Sequence, residues 1–233
     1  MNLMDTLHLL TLWDLVAVAF MLIVWQALGW WIEHPTAKHP SVTILMAQYR
    51  RDWMDQFVTR QPRIFDAQII SGLRQVTSFF ASTCLLAIGG VLALVGNTDP
   101  LRGVAENVAQ DAVPVLIWQI KLLLVAFFLA NGFLKFVWSN RVFGYCSVMM
   151  AAVPNDADNP LAYPRARQAA ELNIRAAVNF NRGLRAMYFA LGAMAWLIGP
   201  LALFIAALIT IWLVWSREFA SVPRKIVLDH TKL

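Results

Sequence analysis

Residues 75–96 read QVTSFFASTCLLAIGGVLALVG, a run without a single charged side chain. As a helix rising ~1.5 Å per residue it is ~33 Å long, which matches a hydrocarbon core of ~30 Å. A helix also satisfies its own backbone donors and acceptors, as lipid requires. The run is therefore read as a transmembrane helix. Residues 15–32, residues 115–138 with Lys121 and Lys135 near their ends, and residues 186–216 follow the same logic. The chain is 59% hydrophobic and 14% charged over 233 residues. Soluble domains run at about 45–50% and about 25%, so a soluble enzyme is excluded. The expected fold class is all-α, a polytopic transmembrane helix bundle forming a single integral membrane domain over 1–233.

Basic residues give the orientation, because Lys and Arg stay on the cytoplasmic side. None precedes residue 15, whereas 33–74 holds Lys38, Arg50, Arg51, Arg60, Arg63 and Arg74. Residues 97–114 have only Arg102 against Asp99, Glu106 and Asp111, and 139–185 returns to Arg141, Arg165, Arg167, Arg175, Arg182 and Arg185. The N-terminus is thus expected outside, with 33–74 and 139–185 as cytoplasmic connections. Asp5 and Asp14 stand where a signal peptide would be positive, so the first segment is expected to remain as an anchor.

The last apolar stretch is too long for one crossing, at ~46 Å. Gly199-Pro200 interrupts it, since Pro removes a donor and disfavours helix in the residue before it. Either one kinked helix or a hairpin of 186–198 and 201–216 follows. The basic tail of Arg217, Arg224, Lys225 and Lys232 favours the hairpin, giving five membrane helices, with the first limb borrowing turns from 179–185. In the cytoplasmic connections, Leu45, Met46, Tyr49, Trp53, Met54 and Phe57 recur at helical spacing within 41–60. That amphipathic helix lies either along the inner membrane surface or against the protein's own bundle. Pro154 to Pro164 reads as a turn-rich loop, with an Ala-rich helix starting near Pro164 or Arg165.

Chemical motifs are sparse. Cys84 and Cys146 make no redox or metal spacing and read as packing residues. His8, His34, His39 and His230 do not pair at metal spacing, and Glu33, His34 and His39 read as a solvated loop. There is no Gly-x-Ser-x-Gly, phosphate loop or His-Glu-x-x-His. No catalytic residue, cofactor or metal is expected. The net charge of +5 belongs to membrane orientation and to anionic headgroups, with no nucleic acid as partner.

Polar residues within the apolar segments carry the remaining signal. Gln68, Ser71, Gln75, Ser78 and Ser82 are spaced three, four, three and four apart, so they share one helix face. Lipid offers them no partner, so that face is expected at a helix interface or along a polar pathway. Asn131, one turn before Lys135, also wants a partner, whereas Lys121 and Lys135 can snorkel. Arg175, Asn179, Arg182 and Arg185 read as an inner-leaflet belt or as a headgroup or anion site.

Residues 49–54 (YRRDWM), 63–69 (RIFDAQI), 78–83 (SFFAST), 133–139 (FLKFVWS), 141–146 (RVFGYC) and 180–189 (FNRGLRAMYF) together resemble the bacterial and plant integral membrane family catalogued as domain of unknown function 599. The resemblance covers almost the whole chain and implies an all-helical membrane protein, with no activity, substrate or cofactor. It also implies an Asn where this chain has Gly144 and a Tyr where it has Met187. The function expected is a non-catalytic inner-membrane homo-oligomer, channel-like, whose polar faces line a conduit for a small solute or ion. Lys135, Arg182 and Arg185 would bias its inner mouth toward anions. An accessory or assembly subunit of another membrane complex is the alternative. An inner-leaflet lipid-modifying enzyme is the third, with Asp66 its one nominated carboxylate, otherwise paired with Arg63 or Arg74.

Overall fold

The computed structural model describes residues 10–97 and 114–229. Asp5, Asp99, Arg102, Glu106, Asp111 and Lys232, used above for orientation, and the histidines His8 and His230, lie outside the described residues. Among the described residues the chain is helical without a strand. The elements are α1 (Leu12–Glu33), α2 (Val42–Thr59), α3 (Ile64–Gly96), α4 (Val115–Ala151), α5 (Ala162–Ala193), a short 3-10 turn (Met194–Leu197), α6 (Pro200–Phe219) and α7 (Val222–Leu228). Four stretches are long and apolar enough to cross a membrane: α1, α3, α4 and Pro200–Leu228. The chain is a membrane protein of the all-α class.

Three helices extend well beyond their apolar cores. α3 begins at Ile64, eleven residues before the charge-free run, α4 continues to Ala151, and α5 runs unbroken from Ala162 through Arg185 to Ala193. No proline interrupts the polar turns of α3 or α4, and Pro164 falls within the first turn of α5, where its missing N–H has no intrahelical partner to lose. The last apolar stretch is broken where Gly199-Pro200 predicts, with Gly199 at a φ of +159°. Its first limb is the end of α5 followed by the 3-10 turn, not a helix of its own.

The internal contacts gather into two compact units, each drawn from three stretches of chain: Met1–Trp30, Thr83–Gly132 and Leu184–Trp215 in the first, Trp31–Ser82, Phe133–Gly183 and Ser216–Leu233 in the second. In the first unit α1 opens with a reciprocal cap. Thr11 N–H donates to Asp14 Oδ2 at 3.0 Å while the Asp14 N–H donates back to Thr11 Oγ1 at 3.3 Å. Trp196 Nε1 donates to the other carboxylate oxygen of this buried Asp14 at 2.7 Å. α5 and α6 run side by side after the reversal at Gly199. A Cβ on Gly192 would lie 2.9 Å from Thr210 Oγ1, 3.1 Å from Met21 Cε and 3.7 Å from the Ala206 carbonyl, so only glycine permits this approach. Trp25 and Phe189 pack on Phe128, with ring centroids 5.2 and 5.9 Å away.

The second unit is built on an alanine face. Ala162, Ala166, Ala169 and Ala170 of α5 are buried with Met54, Phe57, Val58, Ile70, Cys146, Met150 and Val153. Ser41 caps α2, accepting from Ile44 N–H at 3.3 Å and donating to the Ile32 carbonyl at 2.7 Å. Met54, Phe57 and Val58 of α2 are thus buried against the protein's own helices, while Met46 stays exposed. Both cysteines are buried and free, and Cys146 Sγ donates to the Ala169 carbonyl at 3.3 Å. α5 begins at Ala162, two residues before Pro164, because Asn159 ends the loop by accepting the Leu161 N–H at 3.0 Å.

Three charged residues, Arg60, Arg63 and Asp66, hold the α2–α3 turn. Arg63 donates to the carbonyls of Val153 and Pro154 at 2.9 Å each and of Val58 at 3.0 Å, and to Asn155 Oδ1 at 3.2 Å, with its guanidinium 4.6 Å from the Phe57 ring. Asp66, at 0% exposure, accepts from Trp53 Nε1 at 2.6 Å and Arg60 Nη1 at 2.5 Å. The expected partners of Asp66 were Arg63 and Arg74. Arg60 takes the role because the turn after Thr59 folds it back, while Arg63 is occupied by backbone carbonyls.

Candidate functional site

The spacing of Gln68, Ser71, Gln75, Ser78 and Ser82 puts them on one face of α3, and all five are exposed. Only 6% of the apolar window of α3 is buried within the chain, so this helix turns most of its surface outward. Gln68, Ser71, Gln75 and Ser82 form no hydrogen bond to another described residue. Ser78 accepts from Asn140 Nδ2 at 2.5 Å, and Arg74 Nε donates to the Oδ1 of the same Asn140 at 3.3 Å, which ties α3 to α4 within the second unit.

That tie lies in a groove of about 720 Å³, lined on its polar side by Arg63, Ser71, Arg74, Gln75, Ser78, Asn140, Ser147 and Asn155. No carboxylate lines it. Amides and hydroxyls can exchange hydrogen bonds with either sign of ligand, but with arginine as the only charged type the groove favours anions. Asn140, Arg74 and Ser147 were absent from the sequence candidates. Asn140 is 62 residues from Ser78, so no spacing rule within one helix could have joined them.

The other candidates separate. Asn131 and Lys135 are half-buried, one turn apart on α4, and neither forms a hydrogen bond or ion pair with another described residue. Arg175 is exposed, and its carbonyl accepts from the buried Asn179 Nδ2 at 2.8 Å. Arg182 makes a two-pronged pair with Glu33, Nε to Oε1 at 2.8 Å and Nη2 to Oε2. Hydrogen bonding to that carboxylate raises the pKa of Arg182 against the opposing effect of burial, so its charge is matched inside the protein. Arg185 is buried beside Gly29 in the first unit. The four residues of the expected inner-leaflet belt are therefore split, with Arg175 exposed, Arg182 paired and Arg185 buried, and the arginines that line the groove are Arg63 and Arg74.

A further polar knot escaped the sequence reading: Thr43 donates to Glu218 from its N–H at 3.1 Å and its hydroxyl at 3.0 Å, and Asn181 Nδ2 donates to Thr43 Oγ1 at 3.2 Å. No curated protein and no solved structure matches the chain. One protein family does, described as protein of unknown function, DUF599, and the match covers residues 16–223.

Proposed function

We propose that this chain, which belongs to the DUF599 family over residues 16–223, is a multi-pass inner-membrane protein without catalysis of its own that self-associates through the outward face of α3 and lines a narrow polar conduit there. The observation that carries this reading is the exposure of Gln75, Ser78 and Ser82, inside the charge-free run 75–96 and in line with the exposed Gln68 and Ser71, on a helix long and apolar enough to cross a membrane. Hydrocarbon offers amides and hydroxyls nothing, so such a face gains by meeting its like on another copy or by facing water. Gly89 and Gly90 lie exposed farther along α3, and a Cβ on either meets nothing within 4 Å, so another helix can come close. Arg74 at the groove biases the passage toward small anions.

In this reading the N-terminus is outside, and the limbs on either side of Gly199 both lie in the membrane, which returns the tail with Arg217, Arg224 and Lys225 to the cytoplasm. Asp66 supports a non-catalytic role, because its carboxylate is buried and bonded to Trp53 and Arg60, out of reach of a lipid substrate.

The test is native mass spectrometry of the protein in nanodiscs, followed by anion flux into proteoliposomes. A homo-oligomer whose flux falls when Ser78→Leu and Ser82→Leu are combined is the expected result. A monomer, or unchanged flux in a folded double variant, overturns the conduit. A foreign subunit in fixed ratio would assign the α3 face to an assembly partner.

A further inference from the structure

Thr43, Met46, Ala47 and Arg50 recur at steps of three, one and three along α2, so they share one face. That face walls a cavity of about 570 Å³ within the second unit, whose other walls include Leu73, Val76, Ile174 and Phe180. The lining is apolar but for Thr43, Arg50, Thr77, Asn181 and Glu218, and Thr77 spends its hydroxyl on the Leu73 carbonyl at 2.6 Å. At one end stands Arg50, whose Nη1 donates to the neutral Oδ1 of Asn173. No carboxylate lies within ion-pair distance of Arg50 among the described residues. Burial lowers the pKa of Arg50, yet a guanidinium stays charged at neutral pH. At the other end, seven residues or ~10 Å back along α2, the Glu218 carboxylate is occupied by Thr43.

A cation without a counter-charge, set in apolar walls, calls for a ligand that brings both an anion and hydrocarbon. We propose that this cavity binds one long-chain fatty acid, with its carboxylate on Arg50 and its chain against the apolar walls. Arginine presents a fork of N–H groups that matches a carboxylate, and Glu218 repels one, so the carboxylate is placed at Arg50 and away from Glu218. The volume falls in the range of about 300–1,000 Å³ that holds a single small ligand. The site does not depend on the conduit reading, because Gln68, Ser71, Gln75, Ser78 and Ser82 take no part in its lining.

The test uses the full-length protein in phosphatidylcholine nanodiscs with a palmitate analogue carrying a photoreactive diazirine in its chain. Labelling is expected on peptides covering residues 42–50 and 69–76, competed by palmitate and at least about tenfold less well by hexadecanol, which lacks the charge. Arg50→Gln should weaken palmitate about tenfold and leave hexadecanol unchanged. Gly72 lines the cavity, and a Cβ there meets nothing within 4 Å. Gly72→Leu should therefore fill the space and abolish labelling in a folded protein. Should Arg50→Gln not fold, the ratio of palmitate to hexadecanol on the wild type decides. Labelling that maps elsewhere, equal competition by hexadecanol, survival of labelling in Gly72→Leu, or displacement by phosphatidylglycerol as readily as by palmitate would overturn the proposal.

Discussion

Gly183 and Gly144 are both interior helix glycines of the second unit, and replacing each by Ala tests the packing there in a controlled pair. A Cβ on Gly183 would stand 2.7, 2.8 and 2.9 Å from three carbons of the Phe136 ring, whereas a Cβ on Gly144 meets nothing within 4 Å. The ring cannot easily retreat. Phe136 is fully buried, with the Phe80 and Phe180 rings each 5.4 Å away, centroid to centroid. Forcing a methyl group into such a site costs ~1–3 kcal/mol. Both substitutions gain ~1 kcal/mol from helix propensity, which cancels in the comparison. Gly144→Ala should therefore be the more stable of the two by ~1–3 kcal/mol. Reversible unfolding of both variants in mixed micelles, followed by tryptophan fluorescence, measures the gap. If Gly183→Ala proves as stable as Gly144→Ala, then α5 does not lie against Phe136 as described.

Two further substitutions probe the polar ties. Arg63→Lys keeps the charge but loses the fork that reaches three carbonyls at once, and should cost about 2 kcal/mol in the same unfolding assay, with earlier proteolysis at the Pro154 loop. Trp196→Phe conserves the ring but removes the donor to the buried Asp14, for an expected loss of ~1–3 kcal/mol. Trp196→Phe combined with Asp14→Asn should be less than additive, and full additivity of the two losses would show that the indole and the carboxylate are not partners.

The sequence reading succeeded where a rule acts within one helix or one dipeptide. Apolar length marked the membrane helices, Gly199-Pro200 marked the reversal, and periodicity put Gln68 to Ser82 on one face. It fell short where two conditions had to be weighed from opposite ends of the chain. Arg182 reads as an anion site by its neighbours at four- and three-residue steps, yet Glu33, 149 residues away, takes its charge. Arg50 carried no sign of isolation, because that depends on Asn173, 123 residues on, being an amide and not an acid. The extension of α4 past its apolar core, to Ala151, was hidden for a different reason. Hydropathy reports where lipid is tolerated, and a helix that continues with alanine or with an amphipathic face leaves that signal without leaving the helix.

The bond from Trp196 to Asp14 joins residues 182 positions apart, and this sets a timetable for biosynthesis. At ~5–20 residues per second the ribosome delivers the indole ~10–40 s after the carboxylate. Through that interval the hydrogen bonds to the Asp14 carboxylate come from Thr11 alone among the described residues. The first helix must therefore wait in the insertion machinery, or at its lipid boundary, with an unfinished polar end. Any truncation before Trp196 would leave that end unfinished, which makes the last stretch of the chain the one that completes the first helix.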